Sequence, residues 1–318
     1  MLSLEHSKDS IFFMDIVQAF LQYLEDENKY SKLTISEYGR DVQQYEDFLK
    51  FHHTDISNAE VKEIRLWISD LALQGVSPRS IHRKMSSLHS LYHYLELQGT
   101  VAENWVERVL QPKVSQRLPL FFSESEMDNL FEIIDFEPTF EGIRDRLLLE
   151  LLYSTGMRCS ELIGLKHSDV DYSGASIRIL GKRNKVRIVP LASLVAQFLE
   201  DYTEAKRQKF GSVNNGDVLL LTSEGKPMYR KLVYRIVRKY TDKVSVLSKR
   251  SPHIIRHTFA THLLNNGADI NAIKSILGHS SLASTQVYTH TSISQLKQTY
   301  NQAHPRALKK GGNYDSKH

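Results

Sequence analysis

Two histidines and an arginine lie within five positions in the stretch HIIRH, residues 253 to 257. On a helix, residues three apart share a face, so His253 and Arg256 project together near a helix N-terminus, where backbone N–H groups also attract anions. This arrangement indicates a phosphate-binding site. Zinc is an alternative, because His257 and His262 follow closely, but HIIRHTFATH contains no acidic residue or cysteine. The stronger alternative for His257 and His262 is a hydrogen-bonded core histidine.

Chemistry on a phosphate held by one arginine needs a second cation, a proton donor for the leaving oxygen and a nucleophile. The chain offers a candidate for each. Taken singly, every one of these residues is typical of a surface or structural position. The candidates are Arg158, with Glu161 three residues on to orient it, Lys182 at a predicted hairpin tip, and His279 and Tyr288 in LGHSSLASTQVYTH.

Three helical segments are predicted in the first hundred residues. In LTISEYGRDVQQYEDFLKF, apolar side chains recur at steps of three and four, and Thr34 and Glu37 have capping-box spacing. A second segment stops at Gly75, and a third begins with Ser77 as N-cap and Pro78 in the first turn. The side chains predicted to be buried are Ile35, Tyr38, Val42, Tyr45, Leu49, Val61, Ile64, Ile68, Leu71, Ile81, Met85, Leu88, Tyr92 and Leu95.

The third helix carries a polar face that includes Arg79, His82 and Arg83. A helix fits the major groove of DNA, where arginine reaches guanine edges, so these three residues are candidate DNA contacts. A solvated face is the other interpretation, because charged helix faces usually contact water.

Two prolines interrupt helicity in QPKVSQRLPLF and indicate a linker between two domains. The second domain opens with Ser123 and Glu126 in another capping box, and a strongly apolar helix follows and breaks at Gly156. SIRILGKRNKVRIVPL alternates apolar and polar residues on both sides of a polar turn, which predicts a β-hairpin. Further predicted helices span residues 253 to 266 and 269 to 277. The predicted fold class is mainly α, with two domains.

The charge of the chain is unevenly placed. Its formal net charge is +4, but residues 1–117 hold 13 Lys and Arg against 17 Asp and Glu, a net of −4, leaving 28 against 20, a net of +8. A basic second half suits a polyanion such as nucleic acid, although solvated surfaces of this charge are also common.

The single cysteine, Cys159, excludes an internal disulfide framework and a cysteine-based zinc site. Its expected role is that of a small buried hydrophobe. The most apolar runs, IFFMDIV and LLLELLY, resemble neither a signal peptide nor a membrane span, since a charged residue interrupts each. The predicted compartment is the cytoplasm.

The order of the candidate residues is specific: an arginine, a hairpin lysine, an HxxR motif, an LGH motif and a tyrosine nine residues later. On these motifs the chain resembles the tyrosine recombinase (integrase) family, from about residue 12 to 308. The resemblance is closest to the Xer-type chromosome dimer resolvases: LTISEYGRDVQQYEDFL and SPRSIHRKMSSLHSLYHYL look like their DNA-clamp helices, and YTHTSISQLKQTYNQAHPRA looks like their C-terminal end.

The resemblance implies a four-helix, SAM-like DNA-clamp domain followed by an α-helical catalytic domain with a small β-sheet. The expected boundaries are residues 1–110 for the clamp, 111–122 for the linker, 123–303 for the catalytic domain and 304–318 for a flexible tail.

The resemblance also implies that Arg158 and Arg256 clamp the non-bridging oxygens of a scissile DNA phosphate, with Glu161 supporting the site from behind. Losing one such donor is expected to slow the reaction about a hundredfold or more.

Tyr288 is the implied nucleophile, which forms a 3′-phosphotyrosyl link, and Lys182 is the implied proton donor to the departing 5′ oxygen. His253 is the implied proton acceptor, and His279 is a further donor to the phosphate. This chemistry uses no cofactor, metal or ATP, because the phosphodiester energy is kept in the protein–DNA bond.

The hairpin turn departs from the usual GKGNK of the family. It reads GKRNK, so Arg183 replaces a glycine that tolerates positive φ. Arg183 is a candidate contact to the DNA backbone, and Asn184 is an alternative residue for the left-handed position.

The implied partners are double-stranded DNA carrying a specific recombination site, a homo- or hetero-tetramer with a second recombinase, and a septal DNA translocase as activator. In the family the last helix docks into an adjacent protomer, here with Ile293, Leu296 and Tyr300 as its apolar stripe. Packing of this helix on its own domain is the alternative.

Three other functions stay open on the sequence. An integrase or transposase of a mobile element shares the same chemistry, and a type IB topoisomerase shares the attack on phosphorus. A non-catalytic DNA-binding protein would use the basic half for phosphates alone and predicts salt-sensitive binding without a covalent adduct.

Overall fold

Four helices with well-defined N-caps form the described part of the N-terminal unit. The structure, a computed structural model, describes residues 15–27, 29–113, 120–181, 185–211, 218–278 and 290–308. The helices are α1 (Ile16–Asp26), α2 (Lys32–Phe51), α3 (Val61–Leu73) and α4 (Pro78–Leu97), followed by a 3₁₀ turn at Trp105–Arg108. Together with the second unit described below, these helices confirm the predicted mainly helical, two-domain fold class.

The sequence predicted the first residues of two helices in this unit, and one of these predictions is confirmed. The hydroxyl of Ser77 accepts a hydrogen bond from the backbone N of Ser80 at 3.2 Å, as its N-cap position requires. The predicted start at Thr34 is wrong by three positions, because Ser31 caps α2 by accepting from the backbone N of Thr34 at 3.2 Å. Ser31 and Thr34 are both capping residues, so local spacing alone does not choose between them.

The core of the N-terminal unit contains most of the predicted stripe residues. Tyr45, Trp67 and Tyr92 are among its largest fully buried side chains. The hydroxyl groups of Tyr45 and Tyr92 lie 3.2 Å apart, so each buried phenol is hydrogen-bonded. Predicted stripe residues that are only partly buried are Ile35, Tyr38, Val61 and Ile68.

In the second unit, several helices pack around one central apolar helix. The chain divides between residues 117 and 118, inside the segment predicted as the linker. The helices of this unit are α5 (Glu124–Glu132), α6 (Phe140–Thr155), α7 (Cys159–Ile163), α8 (Ser193–Phe210), α9 (Arg230–Thr241), α10 (Pro252–Asn265), α11 (Ile270–Leu277), α12 (His290–Ala303) and α13 (Pro305–Leu308). The capping box of Ser123 and Glu126 at the start of α5 is confirmed.

Helix α6 is buried on nearly all sides because α8, α9 and α10 pack around it. This explains why LLLELLY is apolar without a polar face, as expected of an interior helix. No helix within the described ranges is long and apolar enough to cross a bilayer.

A small antiparallel sheet lies beside these helices. Its strands are β1 (Val170–Asp171), β2 (Ser176–Leu180) and β3 (Val186–Pro190), in the order β1-β2-β3. The predicted hairpin is confirmed, with Leu180 opposite Val186 at the end nearest its turn. Strand β1 was not predicted, since two residues are too few to show alternation. The turn residues Lys182, Arg183 and Asn184 lie outside the described residues.

The last long helix packs on its own unit in this single chain, which is the alternative to docking into a neighbouring protomer. Leu296 and Tyr300 of α12 are buried, and α12 contacts β3, α10 and α11. Lys297 also donates to the carbonyl O of Gly174 at 2.5 Å. The groove formed by β3, α10 and α11 covers these apolar side chains within one chain. The side chain of Ile293 is outside the described part.

The sequence predicted a flexible tail from residue 304 onwards, but the structure shows that residues 304–308 are packed against the rest of the second unit. His304 and Arg306 are almost fully buried, and α13 contains the next residues. The guanidinium of Arg306 donates to both carboxylate oxygens of Glu150 on α6, with Nε at 3.1 Å from Oε2, and it stacks on Phe131. The imidazole Nε2 of His304 donates to the carbonyl O of Tyr153 at 3.2 Å. Residues 304–308 therefore belong to the core of the catalytic unit.

Removing one member of the buried ion pair should destabilise the fold strongly. Burial already raises the pKa of Glu150, and Arg306 opposes that rise. We expect Arg306→Met to lower the free energy of unfolding by about 3 to 5 kcal/mol, because it leaves a buried carboxylate without its cation. The double variant E150Q/R306M should lose much less, and equilibrium urea denaturation of the whole protein measures both.

Arg178→Met is the matched control, because Arg178 pairs with Asp169 on the surface, where its side chain is 57% exposed. Its loss should stay below about 1 kcal/mol. Equal losses for R306M and R178M would contradict the structural role of the buried pair.

Candidate active site

Arg158 is placed by a sharp turn between two helices. Helix α6 ends at Gly156, which has φ +59, and α7 begins at Cys159. A Cβ on Gly156 would lie 2.5 Å from Cδ1 of Phe259, so the turn needs glycine both for its backbone conformation and for space. Arg158 lies two residues after Gly156 and directly before α7, and 35% of its side chain is exposed. The turn therefore presents a partly exposed guanidinium at the start of a helix.

Glu161 fixes the orientation of Arg158. The backbone N of Arg158 donates to Oε2 of Glu161 at 2.7 Å, and its NH1 donates to Oε1 at 2.8 Å. The predicted supporting role of Glu161 thus has a direct geometric basis. Burial alone would raise the pKa of Glu161, but hydrogen bonds and charge from Arg187 and Arg158 outweigh it and hold that pKa below its ordinary value.

Arg256 joins the same turn from α10. Its NH1 donates to the carbonyl O of Gly156 at 2.6 Å, and its NH2 donates to the carbonyl O of Leu277 at 2.8 Å. Burial, followed by the charges of Arg158 and Arg187, lowers the pKa of Arg256 to about 10. Arg256 is therefore still cationic at neutral pH, and it lies within electrostatic reach of Arg158.

His253 lies in the first turn of α10, where Ser251 is the N-cap and accepts from the backbone N of Ile254 at 3.4 Å. The side chain of His253 is exposed. It lies one helical turn before Arg256, on the same side of α10, as the sequence predicted.

The other two histidines of this helix lie in different surroundings. His262 is a satisfied core histidine: its Nδ1 accepts from the hydroxyl of Tyr153 at 2.8 Å, and its Nε2 donates to the carbonyl O of Phe122 at 2.9 Å. His257 is half-buried beside Phe121, and its Nε2 has no hydrogen-bond partner among the described residues. Within the described ranges, no group of three His, Cys, Asp or Glu residues could hold a metal ion.

The remaining predicted catalytic residues, Lys182, His279 and Tyr288, lie outside the described residues, as does the candidate DNA contact Arg183. Their chain neighbours are described. The turn of the hairpin is closed by a hydrogen bond of 2.8 Å from the backbone N of Gly181 to the carbonyl O of Lys185. Gly278, with φ +66, ends α11 directly before His279. The structure thus brings together Arg158, Glu161 and Arg256, and it places His253 one helical turn from Arg256.

The three predicted DNA contacts of the N-terminal unit are in different situations. Arg79 is exposed at the start of α4. Arg83 is paired through both terminal nitrogens with the buried carboxylate of Asp41, at 2.5 and 2.9 Å. The Nε2 of His82 donates to the carbonyl O of Pro112 at 2.6 Å. Arg83 and His82 therefore have structural partners within their own unit, whereas Arg79 faces solvent.

Sequence analysis missed a basic helix face in the second unit. Helix α9 buries one apolar stripe and packs against α7, the helix that Arg158 precedes. The signal was present in RKLVYRIVRKY, where cations alternate with apolar residues at helical spacing. The exposed residues of this face are Arg230, Lys231, Tyr234, Arg235, Arg238 and Lys239.

Arg187 was also missed, although it lies at the centre of the site. It is 3% exposed on β3, and it contacts both Glu161 and the end of α11. Its position in a strand of alternating residues gave no sign of these contacts, because both partners are distant in sequence.

Two family models match the chain. The model described as "Phage integrase family" matches residues 121–295, and that described as "Phage integrase, N-terminal SAM-like domain" matches residues 17–99. Among curated relatives, the "Tyrosine recombinase XerC" of Staphylococcus saprophyticus is 37% identical over 294 residues, covering 92% of this chain and 98% of the relative. The protein of the same name from Bacillus subtilis is 36% identical over 299 residues, covering 93% and 98%.

Solved structures have the same fold. The XerH site-specific recombinase bound to difH substrate in a pre-cleavage complex superposes with a TM-score of 0.65 at 21% identity, over 89% of this chain and 83% of that one. An integrase of the Tn1549 transposon in complex with a circular intermediate DNA gives a TM-score of 0.66 at 18% identity, over 90% and 99%.

The close turn at Gly156 gives a test of this geometry. We expect Gly156→Ala to lower the free energy of unfolding by about 2 kcal/mol or more, because both the left-handed backbone and the contact with Phe259 oppose a methyl group. Urea denaturation of the whole protein measures the loss.

Gly267→Ala is the control, since Gly267 follows the end of α10 with φ +82 but nothing lies within 4 Å of an added Cβ. Only backbone strain of about 1 kcal/mol should result there. If the two substitutions lowered the free energy of unfolding by the same amount, the tight packing at the turn before Arg158 would be contradicted.

Proposed function

Since this chain belongs to the phage integrase family, as a tyrosine recombinase of the Xer type, we propose that it cuts and rejoins double-stranded DNA at one chromosomal site and so resolves chromosome dimers in the cytoplasm. The observation that carries the proposal is the link between the two predicted phosphate clamps. Arg256 binds the carbonyl O of Gly156, two residues before Arg158. Two guanidinium groups connected through the same turn, and close enough to affect each other's charge, suit the two non-bridging oxygens of a phosphodiester.

In the proposed reaction the hydroxyl oxygen of Tyr288 attacks phosphorus, and the bond from phosphorus to the 5′ oxygen breaks. A phenol has an ordinary pKa of about 10, so His253 accepts its proton as the new bond forms. Lys182 supplies the proton that the departing 5′ oxygen needs, and His279 donates a further hydrogen bond to the phosphate. Arg158 and Arg256 balance the charge that develops on the phosphate oxygens.

The covalent step explains how strands are exchanged without an energy source. The phosphodiester is replaced by a phosphotyrosyl ester of similar energy, and a 5′ hydroxyl from a partner strand attacks that ester in the reverse reaction. The residues named here need no cofactor, since arginine and lysine supply the cations that a metal would otherwise provide.

The proposed DNA contacts away from the scissile phosphate are basic and exposed. Arg79 supports a contact from the N-terminal unit better than His82 and Arg83 do, because those two already bind Pro112 and Asp41. The exposed cations of α9 add a second surface suited to backbone phosphates. Arg183, in the segment that joins β2 and β3 in the sequence, remains a proposed contact.

The proposed assembly is a tetramer on two DNA sites, formed with copies of this chain or with a second recombinase. The curated relatives named XerC, which are 36% and 37% identical to this chain, support a fixed chromosomal site over the end of a mobile element. A septal DNA translocase is the proposed activator, because dimer resolution is needed only at cell division.

A nicked duplex traps the proposed intermediate. The binding site is first identified by sequencing the genomic DNA fragments of the source organism that bind to the protein. A duplex that carries this site is then nicked close to the cleavage position, so that the short fragment released by cleavage diffuses away and the reaction cannot reverse. In EDTA the wild-type protein should form a complex that survives a denaturing gel, and Tyr288→Phe should form none, because the attacking oxygen is absent.

Each other function predicts a different result in this assay. A non-catalytic DNA-binding protein gives salt-sensitive retention without any adduct. A type IB topoisomerase relaxes supercoiled plasmids that lack the site. If the protein is a mobile-element integrase, the genomic fragments that bind to it contain the ends of an element instead of one chromosomal inverted repeat. An undiminished adduct with Y288F would remove Tyr288 from the mechanism.

Replacing Arg256 by Lys should separate cleavage from binding. Lysine carries the charge but has no planar fork, so it cannot hold the carbonyls of Gly156 and Leu277 and also reach the phosphate. We expect the rate of adduct formation to fall about a hundredfold or more, with DNA affinity nearly unchanged. Single-turnover gels and gel-shift titrations measure the two quantities, and Arg178→Lys on β2 is the control. A fall in affinity that matches the fall in rate would contradict this role.

A further inference from the structure

Arg187 is a buried cation that the proposed reaction does not yet use. It lies on β3 with its side chain 4% exposed, between α7 and the end of α11. A guanidinium buried to this extent requires compensating partners, because desolvating an unpaired charge costs several kcal/mol by order of magnitude. Its partners therefore indicate what it does.

All the polar contacts of Arg187 are made by one planar fork. NH1 donates to Oε1 of Glu161 at 3.0 Å, and NH2 donates to Oε2 at 2.7 Å. Nε donates to the carbonyl O of Ile276 at 2.7 Å. Only arginine presents donors in this geometry, since the ammonium group of lysine is a single point of charge.

The charges around Glu161 do not balance in pairs. Arg158, Arg187 and Arg256 carry three positive charges near one carboxylate, which leaves a net charge of +2 among these four side chains. Arg187 engages both oxygens of the carboxylate, whereas the side chain of Arg158 reaches only Oε1. The negative charge of Glu161 is thus balanced mainly from behind, by Arg187.

We propose that Arg187 is a positioning residue that neutralises Glu161, so that Glu161 orients Arg158 without cancelling the charge that Arg158 offers to the scissile phosphate. This inference rests on the proposed cleavage function. Without Arg187, the buried carboxylate would have Arg158 as its main cation, and the two would form an ion pair. Arg158 would then attract the phosphate, and stabilise its developing charge, much less strongly.

The same side chain fixes the end of α11. Arg187 and Arg256 bind the carbonyls of Ile276 and Leu277, which are successive residues in the last turn of that helix, where cations are favourable. A Cβ on Gly278 would lie 3.2 Å from Cδ of Arg187. Arg187 therefore sets the position from which the chain continues to His279.

A double-mutant cycle separates the charge role from the helix-end role. Arg187→Gln should slow adduct formation on the nicked duplex about a hundredfold, by analogy with the loss of one oxyanion donor. In a Glu161→Gln background no carboxylate remains to be neutralised, so R187Q should then cost at most about fivefold, as expected of a coupled pair. Arg187→Lys keeps the charge without the fork and should recover at least about tenfold of the rate lost in R187Q.

Arg178→Gln is the matched control, because Arg178 lies on the neighbouring strand β2 and pairs with Asp169 at the surface. It should cleave as the wild type does. Gel-shift affinity and thermal unfolding accompany every variant, since an effect on folding alone lowers stability in step with activity.

The outcomes are distinct. The inference would be overturned if the wild-type protein forms the adduct and R187Q forms it at a rate within twofold of the wild-type rate. It would also be overturned if R187Q slowed adduct formation equally in the wild-type and E161Q backgrounds. A third contradicting result would be equal rates of adduct formation for R187K and R187Q. If R187Q does not fold, the comparison of E161Q with E161Q/R187Q and the rate of R187K still decide. Absence of an adduct with the wild-type protein would instead refute the proposed function.

Discussion

A buried carboxylate shared by two guanidinium groups is the interaction on which the candidate site depends. Glu161 accepts hydrogen bonds from the backbone and side chain of Arg158 and from both terminal nitrogens of Arg187. A charge in this environment persists only where its cations are held in place. One of these cations is the N-cap of α7 and the other lies on β3, and Arg256 adds a link from α10 to α11. Four elements therefore meet at this site. The proposed phosphate-binding surface therefore depends on these internal electrostatic contacts as much as on the predicted catalytic motifs.

Much of the fold follows from local patterns in the sequence. The stripe from Ile81 to Leu95 and the caps at Ser77 and Ser123 are confirmed because periodicity and capping are properties of adjacent residues. The pairing of Arg158 with Glu161 was predicted for the same reason, since the two residues are one helical turn apart. The start of α2 was misplaced where two capping residues compete within one turn.

Contacts between distant residues could not be predicted in this way. Arg187 lies 26 positions from Glu161 and 89 from Ile276, so no spacing rule joins them. The early end assigned to the catalytic domain has the same origin, because Arg306 is buried only through a carboxylate 156 positions earlier. The resemblance to a family helped with the motifs but not with these supports, whose roles depend on three-dimensional packing.

The distance in sequence between Glu150 and Arg306 also matters during synthesis. The ribosome must add 156 residues after Glu150 before the cation that compensates it exists. Until then Glu150 lacks the guanidinium that hydrogen-bonds to it in the folded protein, and the native packing around the central helix of this unit cannot be completed. The N-terminal unit has its own core and needs none of these residues. A nascent chain on the ribosome can therefore acquire a folded N-terminal unit before its second unit is complete, because the cation of the buried pair is among the last described residues to be synthesised.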